Sequence, residues 1–220
     1  MAFAFFAYFV VDQIMRHNIA GVVLAGGKSS RFGSDKSQLI IKGKPIIQLQ
    51  LEKLAKAGCT PLFVITHPKK RSDALTLPRS VTNLRDLHPN LGPIGGLHAA
   101  LHAIQPRKSF AATTDAIFLL ACDMPLITAK TMRKIIAAFE PHLDAVVPIH
   151  DGNLEPLCAV YSRRILPAIE RRIAARKLAM HDLVKSLTTK YLDVSKLANC
   201  DREFYNVNTK EDYQQIRRKP

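Results

Sequence analysis

At 220 residues the chain is long enough for one well-buried domain, taking about 150 residues per domain as a prior. Lysine and arginine total 32 against 18 aspartate and glutamate, a net charge of +14 that favours anionic partners; the basic clusters at 69–71, 171–172, 176–177 and 217–219 are scattered without interleaved aromatics, read as solvated faces, and give no nucleic-acid interface. Cys59, Cys122, Cys158 and Cys200 form no C-x-x-C pair, which argues against a zinc site or a disulfide framework and implies a reducing cytoplasm.

Met1 to Val11 is an unbroken apolar run rich in phenylalanine. It is shorter than the about 20 residues that span a bilayer, and it lacks the positive start and small-residue cleavage site of a signal peptide. Residues 1–14 are therefore expected to form an extension outside the fold, with 15–220 a single domain and no stable membrane insertion; a peripheral membrane or oligomer contact is the alternative.

The next stretch, Ile19 to Ala25, has the continuous apolar character of a buried strand and opens into LAGGKSSRFGSDK at 24–36. Its Gly27-Lys28-Ser29 imitates the end of a P-loop, but the first glycine of that motif would fall at Val22, inside the strand. Glycines at 26, 27 and 33 also miss the G-x-G-x-x-G spacing of a dinucleotide fold. What remains is a strand, a tight glycine turn and a loop carrying Lys28, Arg31 and Lys36, which is a phosphate site in physical terms. Ser29 and Ser30 have no neighbouring histidine and no G-x-S-x-G elbow, so a serine hydrolase is not indicated.

Further strands are expected near 61–66, 81–84, 116–121, 144–148 and 155–161, with helices at 45–57, 94–104, 128–139, 166–177 and 210–217 between and after them. This alternation predicts an α/β fold, a mainly parallel sheet with covering helices. In such sheets ligands bind beyond the carboxyl ends of the strands, so the loops 25–36, 85–96 and 122–127 should face one crevice. Leu91-Gly92-Pro93-Ile94-Gly95-Gly96 opens a helix. Gly92, Pro93 and Gly95 there let the backbone approach a ligand closely, with free N–H groups for a polar edge or an anion, although Gly-Pro is also a common turn. Asp123 follows a fully apolar strand and is well placed to hold Mg²⁺ carrying nucleotide phosphates, since Thr128 is already a better cap for the next helix. Asp86 has the same logic more weakly, because an aspartate in such a loop is often a turn former. His98 and His102, at i and i+4, read as a solvated face. Asn206 and Asn208 precede the final helix, which one of them could cap.

Together LAGGKSSRFGSDK, GPIGG (92–96), LACDMPLI (120–127), EPLCAVY (155–161) and FYNVNTKED (204–212) resemble the bacterial molybdenum cofactor guanylyltransferases, over most of the chain from about Ile19 to Ile216. The resemblance implies a three-layer, Rossmann-like nucleotide-binding domain of the nucleotide-diphospho-sugar transferase type. It also implies transfer of GMP from GTP to the terminal phosphate of molybdenum-molybdopterin, releasing pyrophosphate, with Mg²⁺ as cofactor. By position, Leu24, Ala25, Gly26 and Gly27 would contact the nucleotide, Lys36 its phosphates, Asp86 the guanosine, and Asp123 both nucleotide and Mg²⁺; Thr66 stands where the family often has a nucleotide-contacting asparagine. Arg31, Lys36 and Asp123 would carry catalysis, and Asn208 would complete the metal site by analogy with sugar nucleotidyltransferases. Relatives that transfer CMP read Leu-Ala-Ala-Gly at the first loop and lack a GPIGG-like loop, so this chain sides with GTP. Arg163, Arg164 and the 155–161 strand are candidates to grip the pterin. Other cofactor-biosynthesis proteins and molybdoenzyme apo-proteins or chaperones would be its protein partners. The rival readings are a cytidylyl or sugar-phosphate transferase on the same loop, and a non-catalytic nucleotide-binding adaptor.

Overall fold

The computed structural model describes residues 18–25, 36–68, 77–88, 90–105, 114–197 and 199–218. The apolar N-terminal stretch and the loop residues Gly26, Gly27, Lys28 and Arg31 lie outside them. In chain order the elements are β1 (Ile19–Leu24), β2 (Ile40–Ile41), β3 (Lys44–Pro45), α1 (Ile46–Lys56), β4 (Leu62–Thr66), β5 (Val81–Arg85), α2 (Pro93–Ala103), β6 (Ala116–Ala121), α3 (Ala129–Ala137), β7 (Ala145–His150), β8 (Asn153–Leu154), β9 (Cys158–Ser162), α4 (Leu166–Ala174), α5 (Met180–Lys185), β10 (Thr189–Asp193), α6 (Cys200–Glu203) and α7 (Lys210–Arg218).

The sheet runs β10-β7-β9-β6-β1-β4-β5, with β8 paired to β7. β1 lies parallel to both β4 and β6, while β9 alone is antiparallel to its two neighbours on this path, β6 and β7. β1 and β6 are buried at every residue, as their unbroken apolar sequences require of strands covered on both faces. Successive side chains then serve opposite cores. Val23, Phe118 and Leu120 meet Leu51 and Leu54 of α1 and Ile135 of α3 on one face, and Val22, Ile117 and Leu119 meet Leu97 of α2, Ile169 of α4 and Leu183 of α5 on the other. The expected three-layer architecture follows from that alternation.

Local signals place the helix ends. Gly58, at φ 97°, stops α1 in a conformation closed to most side chains. The Thr128 hydroxyl accepts from the Thr131 N–H at 3.2 Å and caps α3, as its sequence indicates. α7 departs from expectation: neither asparagine caps it. Thr209 and Asp212 do so reciprocally, the Thr209 hydroxyl accepting from the Asp212 N–H and the Asp212 carboxylate from the Thr209 N–H.

β10 was absent from the sequence reading, because its residues, Thr-Lys-Tyr-Leu-Asp, are largely exposed at the sheet edge and show no apolar run. The strand expected at 155–161 is confined to 158–162, since Pro156 and Leu157 form a turn after the short β7–β8 hairpin. The helix expected at 166–177 stops at Ala174, with Arg176 at φ 56°.

Candidate active site

The chain moves from β1 outward to β4 and β5, then returns to place β6 on the other side of β1. Between β1 and β6 the strand order reverses, the place where connecting loops part and leave a crevice. Ladder bonds continue to its lip: the Ala25 N–H donates to the Ile65 carbonyl at 2.9 Å and the Cys122 N–H to the Leu24 carbonyl at 3.3 Å. A cavity of about 540 Å³ opens there. Of the sequence-predicted residues, Leu24, Ala25, Lys36, Thr66, Asp86, Gly92, Pro93 and Asp123 line it. Gly26, Gly27 and Arg31 lie outside the described residues.

Asp123 follows β6 after one residue, Cys122. Its main chain is clamped, with the carbonyl accepting from the Val207 N–H at 2.8 Å. Its side chain is less satisfied: Oδ1 is buried and meets no hydrogen-bond donor among the described residues. Burial raises the pKa of this carboxyl, against the opposing pull of the Lys36 charge. Lys36 begins the single helical turn Lys36–Gln38 and donates from Nζ to the Asn208 Oδ1 at 3.0 Å. Asn208, predicted as a metal ligand, thus joins the site through Lys36.

Asp86 combines its two expected characters. Oδ1 accepts from the His88 N–H at 2.9 Å, the bond of a turn former, while the residue lines the cavity. Gly95 makes this possible, since a Cβ there would stand 3.0 Å from Asp86 Oδ1. At Gly96 a Cβ would meet Leu24 Cδ2 at 2.6 Å, so the second glycine lets α2 pack against β1. Gly92, at φ 71°, turns the chain into α2. The Thr66 hydroxyl donates to Asn83 Oδ1 at 3.0 Å, which ties its side chain to β5.

Two readings need correction. His98 is not on a solvated face but 6% exposed, its Nε2 3.8 Å from Glu170 Oε1 and its ring 5.0 Å from that of His88, whereas His102 is exposed as expected. Burial, then the neighbouring His88 and His102, lower the pKa of His98 from its ordinary 6.5, with Glu170 pulling the other way. A base that is harder to protonate folded than unfolded makes stability fall as pH drops below the unfolded value. Thermal unfolding followed from pH 7.5 to 5.5 should show that decline, and His98→Gln should flatten it; an unchanged slope would remove His98 as the cause. Arg163 and Arg164 sit at the opposite end of the sheet from the cavity, because β9 runs antiparallel to β6. There Arg164 Nε donates to Asp144 Oδ1 at 2.6 Å and the Arg163 N–H to the Asp115 carbonyl at 2.9 Å. They brace the fold and are not placed to grip a ligand.

The sequence reading missed Gln50 and Lys53 on α1 and His150 at the end of β7. Gln50 is wholly buried beside the Asp123 turn; its sequence signal was a polar residue on the apolar stripe of α1. Lys53 donates to the Pro125 carbonyl at 2.6 Å, and burial lowers its pKa to about 8 despite the charge of Glu203. His150 stacks on Phe204 with ring centroids 5.3 Å apart and lies 3.0 Å from Asp201 Oδ1. Glu155, whose pKa is raised by burial and by the charge of Asp123, stands on the same side. Burial also raises the thiol pKa of Cys158 and Cys200 and pushes that of Cys59 to about 12, which removes all three as thiolate nucleophiles at neutral pH.

Residues 21–193 match the family model described as MobA-like NTP transferase domain. The chain belongs to that family. This MobA-like chain is 30% identical over 198 residues to the molybdenum cofactor guanylyltransferase of Desulfosudis oleivorans, covering 88% of this chain and 92% of that protein. It is 34% identical to a protein named Probable molybdenum cofactor guanylyltransferase from Thermococcus kodakarensis, over 89% and 92% of the two chains. Its fold matches the solved structure of molybdopterin-guanine dinucleotide biosynthesis protein A from Archaeoglobus fulgidus at TM-score 0.74 and 26% identity, over 91% and 97% of the chains. The MobA-like chain is thus a nucleotidyltransferase of the nucleotide-diphospho-sugar transferase fold. Among the described residues no helix is long and apolar enough to cross a membrane.

Proposed function

We propose that this enzyme transfers GMP from GTP to the terminal phosphate of molybdenum-molybdopterin, forming the guanine dinucleotide and pyrophosphate. The observation that carries the reading is the buried carboxylate oxygen of Asp123, without a hydrogen-bond partner among the described residues, beside Lys36 at the reversal point of the sheet. The choice of substrates follows the named relatives.

An oxygen held away from water with no proton donor among the described residues suits a hard cation, so the site fits Mg²⁺, with Asp123 as the protein ligand. Bound there, Mg²⁺ would supply positive charge against the triphosphate. The Asn208 Oδ1 already accepts from Lys36 Nζ, so we assign Asn208 first to holding Lys36. Leu24, Ala25, Gly26 and Gly27 take the nucleotide, Asp86 after β5 takes the guanosine, and Lys36 and Arg31 take the phosphates.

In the reaction an oxygen of the acceptor phosphate forms a bond to the α-phosphorus of GTP as the bond to pyrophosphate breaks. A phosphate monoester is largely deprotonated at pH 7, its second pKa being about 6, so the attacking oxygen needs no general base. What the protein contributes is alignment of two anions and neutralisation of their charge, which is most of phosphoryl-group catalysis.

Selective binding stabilises the native state by mass action. Thermal unfolding with GTP, CTP, ATP or UTP, with and without Mg²⁺, should therefore show a shift with GTP that Mg²⁺ enlarges. A shift confined to CTP or UTP would move the reading to a sister transferase, and no shift with any nucleotide would overturn it.

A further inference from the structure

Asp123 is held in place from a helix distant in sequence. α1 turns Ile46, Ile47, Leu51 and Leu54 into the core, and Gln50 lies on the same buried stripe with no exposed surface. Its Nε2 donates to the Ala121 carbonyl at 2.8 Å and to the Met124 carbonyl at 3.4 Å. Both neighbours are acceptors, so the amide nitrogen must face them. These two carbonyls bracket Cys122 and Asp123. One turn further along α1, Lys53 holds the Pro125 carbonyl.

The same helix anchors the other charge. The Ile46 N–H donates to the Leu39 carbonyl at 2.9 Å, and the Leu39 N–H donates to the Lys36 carbonyl at 3.2 Å. Gln50 Oε1, on its far side, is buried and meets no hydrogen-bond partner among the described residues. A side chain chosen for packing alone would not carry that penalty, since methionine fills a similar volume without it. The penalty is intelligible if the donor half of the amide is needed where it is.

We propose that Gln50 is a positioning residue for Asp123: its amide ties both ends of the 121–124 turn to α1 and so sets where the carboxylate stands relative to Lys36. The proposal rests on the nucleotidyl-transfer reading of Asp123 and Lys36. Displacement of a reacting group by about 1 Å can lower turnover by roughly 10²-fold.

The test takes the full-length protein and its Gln50→Met variant through two measurements, thermal unfolding with GTP in the presence and absence of Mg²⁺, and steady-state transfer. Wild type must first show the Mg²⁺-enlarged GTP shift; if it does not, the functional reading fails independently of Gln50. Given that shift, Gln50→Met is expected to keep the wild-type shift with GTP alone, to lose most of the increment added by Mg²⁺, and to lower kcat by about 10- to 100-fold with KM for GTP within about threefold. Retention of both the Mg²⁺ increment and kcat within twofold would overturn the proposal. Should Gln50→Met not unfold cooperatively, Gln50→Glu decides. A glutamate can donate to one of the carbonyls only when protonated, so its kcat relative to wild type should rise as pH falls from 8 to 6, and a flat ratio would overturn the positioning role.

Discussion

Replacing Asp123 by asparagine is expected to reduce turnover by about 10³-fold or more while raising the unfolding temperature of the ligand-free protein. The loss follows from the proposed role, since a preorganised charge at a site of phosphate transfer acts where its field is least screened. The gain in stability follows from burial. The folded protein holds the Asp123 proton more tightly than the unfolded chain does, because burial disfavours the carboxylate more than Lys36 favours it. Between the unfolded and folded pKa values the native state therefore binds more protons, and stability declines as pH rises through that window and stays reduced above it. Asparagine carries no charge and escapes this decline. A gain of about 1 kcal/mol would appear as roughly 2–4 °C in a chain of this size. Scanning calorimetry of both proteins at pH 7, with GTP turnover alongside, checks the two effects together. A fall in unfolding temperature combined with near-normal turnover would refute the assignment.

Lys36→Ala is expected to lower kcat/KM by about 10²- to 10³-fold, the usual consequence of losing one preorganised contact to developing charge. A change below threefold would remove Lys36 from the phosphate site. The variant has a second signature, because the Lys36 charge holds the Asp123 pKa down. Without it Asp123 should protonate at higher pH, and the acid limb of the pH–activity profile should move upward. Asn208→Ala removes only the acceptor at 3.0 Å from Lys36 Nζ, so it should cost less than Lys36→Ala and leave the acid limb where it is. Lys36→Arg should not restore full activity, since a planar guanidinium does not reproduce a compact ammonium at one fixed acceptor.

How far these residues were legible depends on where their partners lie in the chain. Asp123 could be singled out because it follows the apolar run Ile117–Cys122, and an uninterrupted apolar strand shows which end meets water and which side chain stands at the lip. Gly92 and Gly95 were visible for a similar local reason: glycines flanking a proline at a helix start signal a tight turn and close approach. Gln50 could not be assigned a role from its own segment. The polar residue interrupts an apolar helix face, but the carbonyls it serves belong to residues more than 70 positions later. His98 was misplaced because helical periodicity alone did not reveal that α4 covers that flank of α2 and brings Glu170 alongside it. Arg163 and Arg164 were misassigned because β9 reverses the direction of an otherwise parallel region.

By itself, then, the sequence determined the buried strands, the helix caps set by neighbouring residues and the glycine-bounded loops, since each depends on contacts within a few positions or on continuous apolar patterning. Tertiary structure alone decided that Asn208 reaches Lys36, that Gln50 and Lys53 grip the Asp123 turn, and that the polar strand β10 closes the sheet. Those outcomes depend on strand order and on hydrogen bonds between segments far apart in the chain, and no local propensity encodes which distant carbonyl or amide will be within 3 Å.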